Sequence, residues 1–295
     1  MIYVDVKGNL GNQMFEYACA RKIQKITGQT ICLNICSLLK YKPEYKFALS
    51  EFYLNDNVIV ESKKRLPWYM NVYKMPMKFL KKFFPRIVFN FLSKKGIFLW
   101  IRPEYIELPL NKNIKDYYLC GYWQSTKYFS DIRDILIKEF TPKKELLIKN
   151  KDLYNKIIDS ESVCVTIRRG DYIDNPKYRK KFFICDDNYF LKGVKKIRED
   201  IPHAKIFVFS DDIEWVKNNI DFGKDVYFEI GDDTVYEKLR LMSNCKHFII
   251  SNSTFSWWSQ YLCTNDEKIV YAPSRWYPDN RACDIQENFW KYIEV

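Results

Sequence analysis

The sequence predicts an α/β protein of two Rossmann-like, doubly wound lobes. Short apolar strands alternate with amphipathic helices over most of its 295 residues, and a hydrophobic content of 47% is enough to fill two cores. Glycines, hydroxyls and charges gather just after several strands, where ligands of open α/β sheets sit.

The elements follow in chain order. "IYVDV" (2–6) and "TICLN" (30–34) are strands, with a helix at 12–27 between them. After "YYLCG" (117–121) a helix is expected over 125–139. The regular βαβ rhythm resumes with "VCVTI" (163–167), whose continuous apolar, β-branched character suits a strand covered on both faces. "KIFVFS" (205–210), "VYFE" (226–229), "HFIIS" (247–251) and "KIVYA" (268–272) complete the strands, with helices at 187–199, 233–244 and 255–264. The polar run 141–162 separates a first lobe, 1–158, from a second, 159–295.

A basic segment interrupts the pattern. Residues 62–103 hold eleven Lys and Arg and no acid, whereas the rest of the chain has equal numbers of both signs, so this segment carries the whole net charge of +11. It is also dense in Trp, Phe, Tyr and Met. Two readings fit: a peripheral helix on an anionic bilayer, or a helical insertion in the first lobe with its aromatics packed inward. Nucleic acid is excluded as a partner, because the charge is not spread along a groove-sized face. The start "MIYVDVKGNLGNQ" does not read as a secretory signal, and no apolar run is long enough to span a membrane. The expected place is the cytoplasm, free or peripheral on the inner membrane face.

Nine cysteines with no C-x-x-C pair read as reduced core thiols. The two histidines, His203 and His247, read as structural, so Ser-His catalysis and multi-histidine metal sites are not expected.

Four loops carry candidate chemistry. After the first strand, "KGNLGNQ" offers Gly8 and Gly11 for a tight turn, with Asn12 and Gln13 at the helix start; the spacing is not that of a dinucleotide fingerprint. After "VCVTI" come Arg168, Arg169, Gly170 and Asp171. Arginine's planar fork matches two phosphate oxygens at once, and Asp171 is placed to orient a guanidinium or act on substrate. Ser210, Asp211 and Asp212 follow a third strand, either as a helix cap or as acceptors for a base or ribose. Ser251 to Ser256 follow a fourth, where hydroxyls and bare N–H groups make a phosphate cradle; Trp257 and Trp258 read as packing. No D-x-D occurs, so a diphosphate would be neutralised by arginine and helix ends, without metal.

Taken together, "GNLGNQMFEYA" (8–18), "GYWQSTKYF" (121–129), "VTIRRGDY" (165–172), "VFSDD" (208–212), "SNSTFSWW" (251–258) and "APSRWY" (272–277) resemble the bacterial α-1,2-fucosyltransferases of glycosyltransferase family 11. The resemblance implies a GT-B-like fold, its two lobes facing a cleft, and an inverting, metal-independent transfer of L-fucose from GDP-β-L-fucose to the 2-hydroxyl of a terminal galactoside in a glycan, free or lipid-linked. It implies no cofactor. Arg168 matches the arginine that holds the donor's β-phosphate, with Arg169 in support. Asp211 or Asp212 falls where relatives contact guanine, and Ser253, Thr254, Phe255 and Ser256 where they contact phosphate. Gly8, Gly11, Asn12 and Gln13 match a loop that lines the cleft on the acceptor side. Thr166 stands where the wider superfamily's H-x-R-R-x-D motif has histidine. Asp171 is the candidate base by its nearness in sequence. Rival readings are another nucleotide-sugar transferase on this scaffold, an enzyme like the protein O-fucosyltransferases, and a non-catalytic sugar or anion binder, which would have no need of a diphosphate cradle.

Overall fold

A computed structural model describes residues 1–41, 45–64, 80 and 82–295, the side chain of Asp171 excepted. The chain forms two compact units: Met1–Thr141 with Cys283–Ile285, and Pro142–Ala282 with Gln286–Val295.

The first unit is built on β1 (Ile2–Asp5), β2 (Ile31–Asn34), β3 (Val58–Glu61), β4 (Ile97–Leu99) and β5 (Tyr117–Cys120). They form one sheet in the order β3-β2-β1-β5-β4, with every pairing parallel. The helix Leu10–Thr27 follows β1 and ends at Gly28, whose φ of 71° is the left-handed cap that glycine adopts without strain. The expected helix over 125–139 is two 3-10 turns followed by a helix at Arg133–Glu139. Phe129, with φ −151°, breaks the helical path between the turns, and the Ser125 hydroxyl caps the first.

The second unit contains β6 (Ser162–Ile167), β7 (Lys205–Ser210), β8 (Val226–Phe228), β9 (His247–Ile250), β10 (Val270–Pro273) and β11 (Lys291–Ile293). Their order is β11-β10-β9-β6-β7-β8, again all parallel. β6 is central and buried along its length. Its Val163 and Val165 pack with Ile206, Val208 and Ile249, beneath Tyr189, Phe190 and Ile197 of the helix Asp187–Asp200. That helix lies so close on the sheet that a Cβ on Gly193 would sit 2.8 Å from Ile249.

Residues 142–158, read from sequence as part of the first lobe, group with the second unit. The N–H of Leu147 donates to Glu237 at 2.9 Å, and the Asn150 amide donates to Asp233 at 2.9 Å. The basic segment is also not purely an insertion, because Ile97–Leu99 form the β4 edge of the first sheet. Residues 65–79 and 81 of that segment lie outside the described residues. All nine cysteines are free thiols.

His247 has a structural role. Its Nδ1 accepts the N–H of Ile269 at 3.1 Å, leaving the ring proton on Nε2, 3.3 Å from Glu161. Burial lowers the His247 pKa, against the pull of Glu161. Glu161 itself is held below the usual carboxylate value by Lys246 and by His247. Both folded values are depressed, so both contributions are present at neutral pH and are lost as pH falls. Urea unfolding is expected to show stability declining from about pH 6.5, the ordinary imidazole value. His247→Asn, which keeps an acceptor for Ile269, should flatten that decline between about pH 6.5 and 5; an unchanged slope would contradict it.

Candidate functional site

The strand order of the second unit reverses between β6 and β9. From β6 the chain moves outward to β7 and β8, then returns to β9 on the other side. Outside the carboxyl ends of strands at such a switch is where open α/β sheets bind ligands. The loops after β6, β7 and β9 carry Arg168 to Gly170, Asp211 with Asp212, and Ser251 to Ser256.

Asp211 joins the first two loops. One carboxylate oxygen accepts the N–H of Arg169 at 2.8 Å, and the other pairs with the Arg168 guanidinium at 2.9 Å. Gly170 completes the fit, since a Cβ there would lie 2.6 Å from the Asp211 carboxylate. Both Asp211 oxygens are thus turned onto the arginine loop, where they hold the Arg169 N–H and the Arg168 guanidinium. Sequence reading had offered Asp171 for orienting a guanidinium and Asp211 for a guanine. Asp171 lies in the short helix Gly170–Asp174, and its side chain is outside the described residues. Arg168 also stands over the ring of Tyr172 at 5.6 Å.

Arg169 is placed differently. Its side chain is only 12% exposed, and its guanidinium carbon lies 3.1 Å from the centre of the Trp215 ring. Asp187 and Asp212 flank it at 3.6 and 3.7 Å. The Asp212 side chain, 43% exposed against 25% for Asp211, opens the helix Ile213–Asn219 without capping it through a side-chain hydrogen bond.

On the β9 side, Ser253 caps the helix Thr254–Leu262, its hydroxyl accepting the N–H of Phe255 at 3.3 Å. Ser253, Thr254 and Phe255 are partly exposed. The amides of Thr254 and Ser256 belong to the first turn, which has no preceding helical carbonyls to bind. Two candidates from sequence point elsewhere. The Ser256 side chain is buried and pairs with the Ser251 hydroxyl at 3.0 Å. Thr166 is buried too, and its carbonyl and hydroxyl both receive the Ser251 N–H, at 3.2 and 3.3 Å, tying β6 to β9. Neither hydroxyl is a surface for a donor. Trp257 and Trp258 are wholly buried, as expected of packing residues.

Sequence reasoning passed over Asn252. Buried within the same loop, its amide donates to the carbonyls of Phe182 at 2.7 Å and Trp276 at 3.1 Å, and its carbonyl oxygen receives the Cys185 thiol at 3.7 Å. It pins three segments behind the loop. The only available signal was a polar residue between two hydroxyls in a motif whose hydroxyls drew the attention.

In the first unit the order reverses between β1 and β5. Gly8 has φ 69°, and a Cβ on it would meet the Asn12 amide at 2.3 Å. Asn12 accepts a hydrogen bond from the Gln124 amide at 2.9 Å. Gly11 lies buried in the first turn of the helix. Gln13, expected to line a cleft, is fully buried. Its amide donates to the carbonyls of Gly8 at 2.9 Å and Lys46 at 2.8 Å, and its oxygen accepts the N–H of Ala48 at 3.0 Å. Its work is to hold the loop. Gln13→Ala is therefore expected to lower stability by about 1–3 kcal/mol through groups left unpaired, and an unchanged urea midpoint would refute that role.

A polar set missed in the sequence lies beside it. Lys7 pairs with Asp5 at 2.8 Å and the Cys120 thiol at 3.0 Å, while its N–H donates to Glu16 at 2.9 Å. Burial pushes the Glu16 carboxyl well above the usual carboxylate range. For Lys7, burial acts downward, but Cys120 and Asp5 outweigh it and raise the ammonium. Among the described residues no group of three or more His, Cys, Asp or Glu is arranged to hold a metal ion.

Comparison with known proteins adds the family. The model of glycosyl transferase family 11 matches residues 1–294. An Escherichia coli O-antigen biosynthesis glycosyltransferase, WbnK, is 30% identical over 98% of this chain and 99% of its own. An E. coli alpha-1,2-colitosyltransferase is 31% identical over 94% and 92%. A chimpanzee galactoside alpha-(1,2)-fucosyltransferase 1 is 24% identical over 94% and 69%. Among solved structures, the alpha-1,6-fucosyltransferase NodZ of Bradyrhizobium, crystallised with GDP, superposes with a TM-score of 0.56 over 88% of this chain and 91% of that one, at 12% identity. The two parallel-sheet units thus have the GT-B-like fold.

Proposed function

The chain belongs to glycosyltransferase family 11, and on that premise we propose that it transfers L-fucose from GDP-β-L-fucose to the 2-hydroxyl of a terminal galactoside, with inversion and without metal. The second unit holds the donor and the first takes the acceptor, a glycan of surface polysaccharide or a free oligosaccharide. The observation that supports this most is Arg168, fixed by Asp211 at the carboxyl end of the central strand β6, whose neighbour in the sheet, β9, leads into the helix Thr254–Leu262.

In the reaction the acceptor oxygen attacks the anomeric carbon as the bond from that carbon to the β-phosphate oxygen breaks. The transition state is oxocarbenium-like, and negative charge grows on the departing GDP. A guanidinium and helix-start amides fixed in advance stabilise that charge more in the transition state than in the ground state. The acceptor hydroxyl proton passes to a carboxylate, for which Asp171 is the proposed group. Asp212 is proposed for the guanine or ribose edge.

The similarity to a colitosyltransferase favours a second donor reading, since colitose differs from fucose only in lacking the 3-hydroxyl. One experiment separates them: purified enzyme in EDTA with lactose, offered GDP-fucose, GDP-colitose, UDP-galactose or CMP-sialic acid, the product linkage read by NMR. An α-1,2-fucosyl product that forms undiminished in EDTA is expected. Colitose in preference to fucose, or transfer only after a divalent ion is restored, would overturn the donor or the metal-free reading respectively.

A further inference from the structure

The helix Pro85–Ser93 is apolar on two opposite faces. One face is accounted for: Phe89 is buried and lies against Phe98 of β4 at 6.1 Å and Trp100 at 5.7 Å. The other is not. Phe84, Ile87 and Phe91 follow one another at spacings of three and four, which places them on one stripe of a helix, and Ile87 and Phe91 are 67% and 64% exposed. Half-exposed Phe84 extends the stripe to the helix start. A helix of a water-soluble protein ordinarily turns a polar face outward; one that is apolar outward as well is built for a second apolar medium.

Charge decides which medium. Lys82, Arg86 and Arg102 stand at one end of the stripe, with Arg102 donating to the Lys82 carbonyl at 3.0 Å, and Lys94 and Lys95 follow its other end. Lys95 lies over the Phe91 ring at 5.5 Å. No acid occurs anywhere from 62 to 103. An apolar stripe with cations at both ends and no anion matches a bilayer whose acyl chains take the aromatic rings while its anionic headgroups meet the cations. A protein partner of ordinary composition would bring charges of both signs to such a face. No helix among the described residues is long and apolar enough to cross a membrane, so the contact is a surface one.

We propose that the Phe84–Ile87–Phe91 face of this helix, with Lys82, Arg86, Lys94, Lys95 and Arg102 around it, docks the protein on an anionic lipid surface. This is independent of the donor and of the sugar transferred. The basic–apolar composition of the segment raised the idea from sequence; the structure supplies the face, since it shows Phe89, Phe98 and Trp100 buried while Phe84 and Phe91 are exposed.

The test is co-flotation with vesicles of phosphatidylcholine, with and without phosphatidylglycerol, comparing the wild type with Ile87→Glu/Phe91→Glu and with Lys94→Glu/Lys95→Glu. Wild type is expected to float with phosphatidylglycerol vesicles and not with phosphatidylcholine alone, and to be released by salt. Both variants should lose binding at least about tenfold, the lysine pair because each cation near an anionic surface adds to the attraction. Circular dichroism and GDP binding, which involve none of these residues, verify folding. Three outcomes would overturn the proposal: no flotation on either vesicle, equal flotation on both, or undiminished flotation of the Ile87/Phe91 variant. A dimer in sedimentation that the same variant dissociates would assign the face to a second copy of the chain and overturn it too.

Discussion

Replacing Arg168 by alanine is expected to lower kcat about 10²–10³-fold, the loss of some 2.7–4 kcal/mol that follows removal of one preorganised donor aimed at developing charge. The effect should be large because Arg169, the other cation of the same loop, is held elsewhere. Arg169 is turned onto Trp215 and flanked by Asp187 and Asp212, and the helix start supplies only partial charge. Arg168→Lys should recover only part of the loss, because a point charge cannot reproduce two parallel hydrogen bonds. The unfolding midpoint of the alanine variant should stay near that of the wild type, since the Arg168 pair with Asp211 is partly exposed and such pairs contribute about 0–1 kcal/mol. Wild-type turnover in the alanine variant would remove Arg168 from the mechanism.

Asp211→Ala should produce the second largest loss, about 10–100-fold in kcat, without Asp211 touching substrate. It releases the Arg168 guanidinium and the Arg169 N–H together, so the guanidinium is no longer fixed in advance, and the expected range corresponds to a barrier raised by about 1.4–2.7 kcal/mol. Its signature is non-additivity. If Asp211 acts through Arg168, the double variant Arg168→Ala/Asp211→Ala should be little worse than Arg168→Ala alone. Losses that multiply would mean that Asp211 contacts the nucleotide directly, the role that sequence resemblance allowed it. Gly170→Ala, which drives a methyl toward the same carboxylate, should reproduce part of the Asp211 effect.

What the sequence made legible was set by burial and spacing. β6 and β9 are covered on both faces, so their residues form unbroken apolar runs, and the loops after them stood out by contrast. β4 lies inside the aromatic-rich basic segment, and β3 and β11 are edge strands with exposed residues, among them Ile59, Val60 and Tyr292, so none of these stood out from its surroundings. At the site, residue types were legible and directions were not. Thr166, Ser256 and Gln13 are polar residues of the strand-to-helix segments, as Ser253 and Asn12 are, yet their side chains point inward and satisfy backbone or hydroxyl groups. Nothing in a linear pattern separates an inward hydroxyl from an outward one. The Arg168–Asp211 pair was hidden for another reason: its members follow neighbouring strands, with Ile167 opposite Ser210 in the ladder, but lie far apart in sequence.

The measurement that tests the account most directly is a calorimetric titration of GDP, in EDTA, into wild type and Arg168→Ala, with UDP and CMP as controls. Saturable binding of GDP alone that persists in EDTA and collapses in the variant is the predicted result. Equal affinity for the three nucleotides, binding that needs a divalent ion, or GDP affinity unchanged by the loss of Arg168 would contradict it.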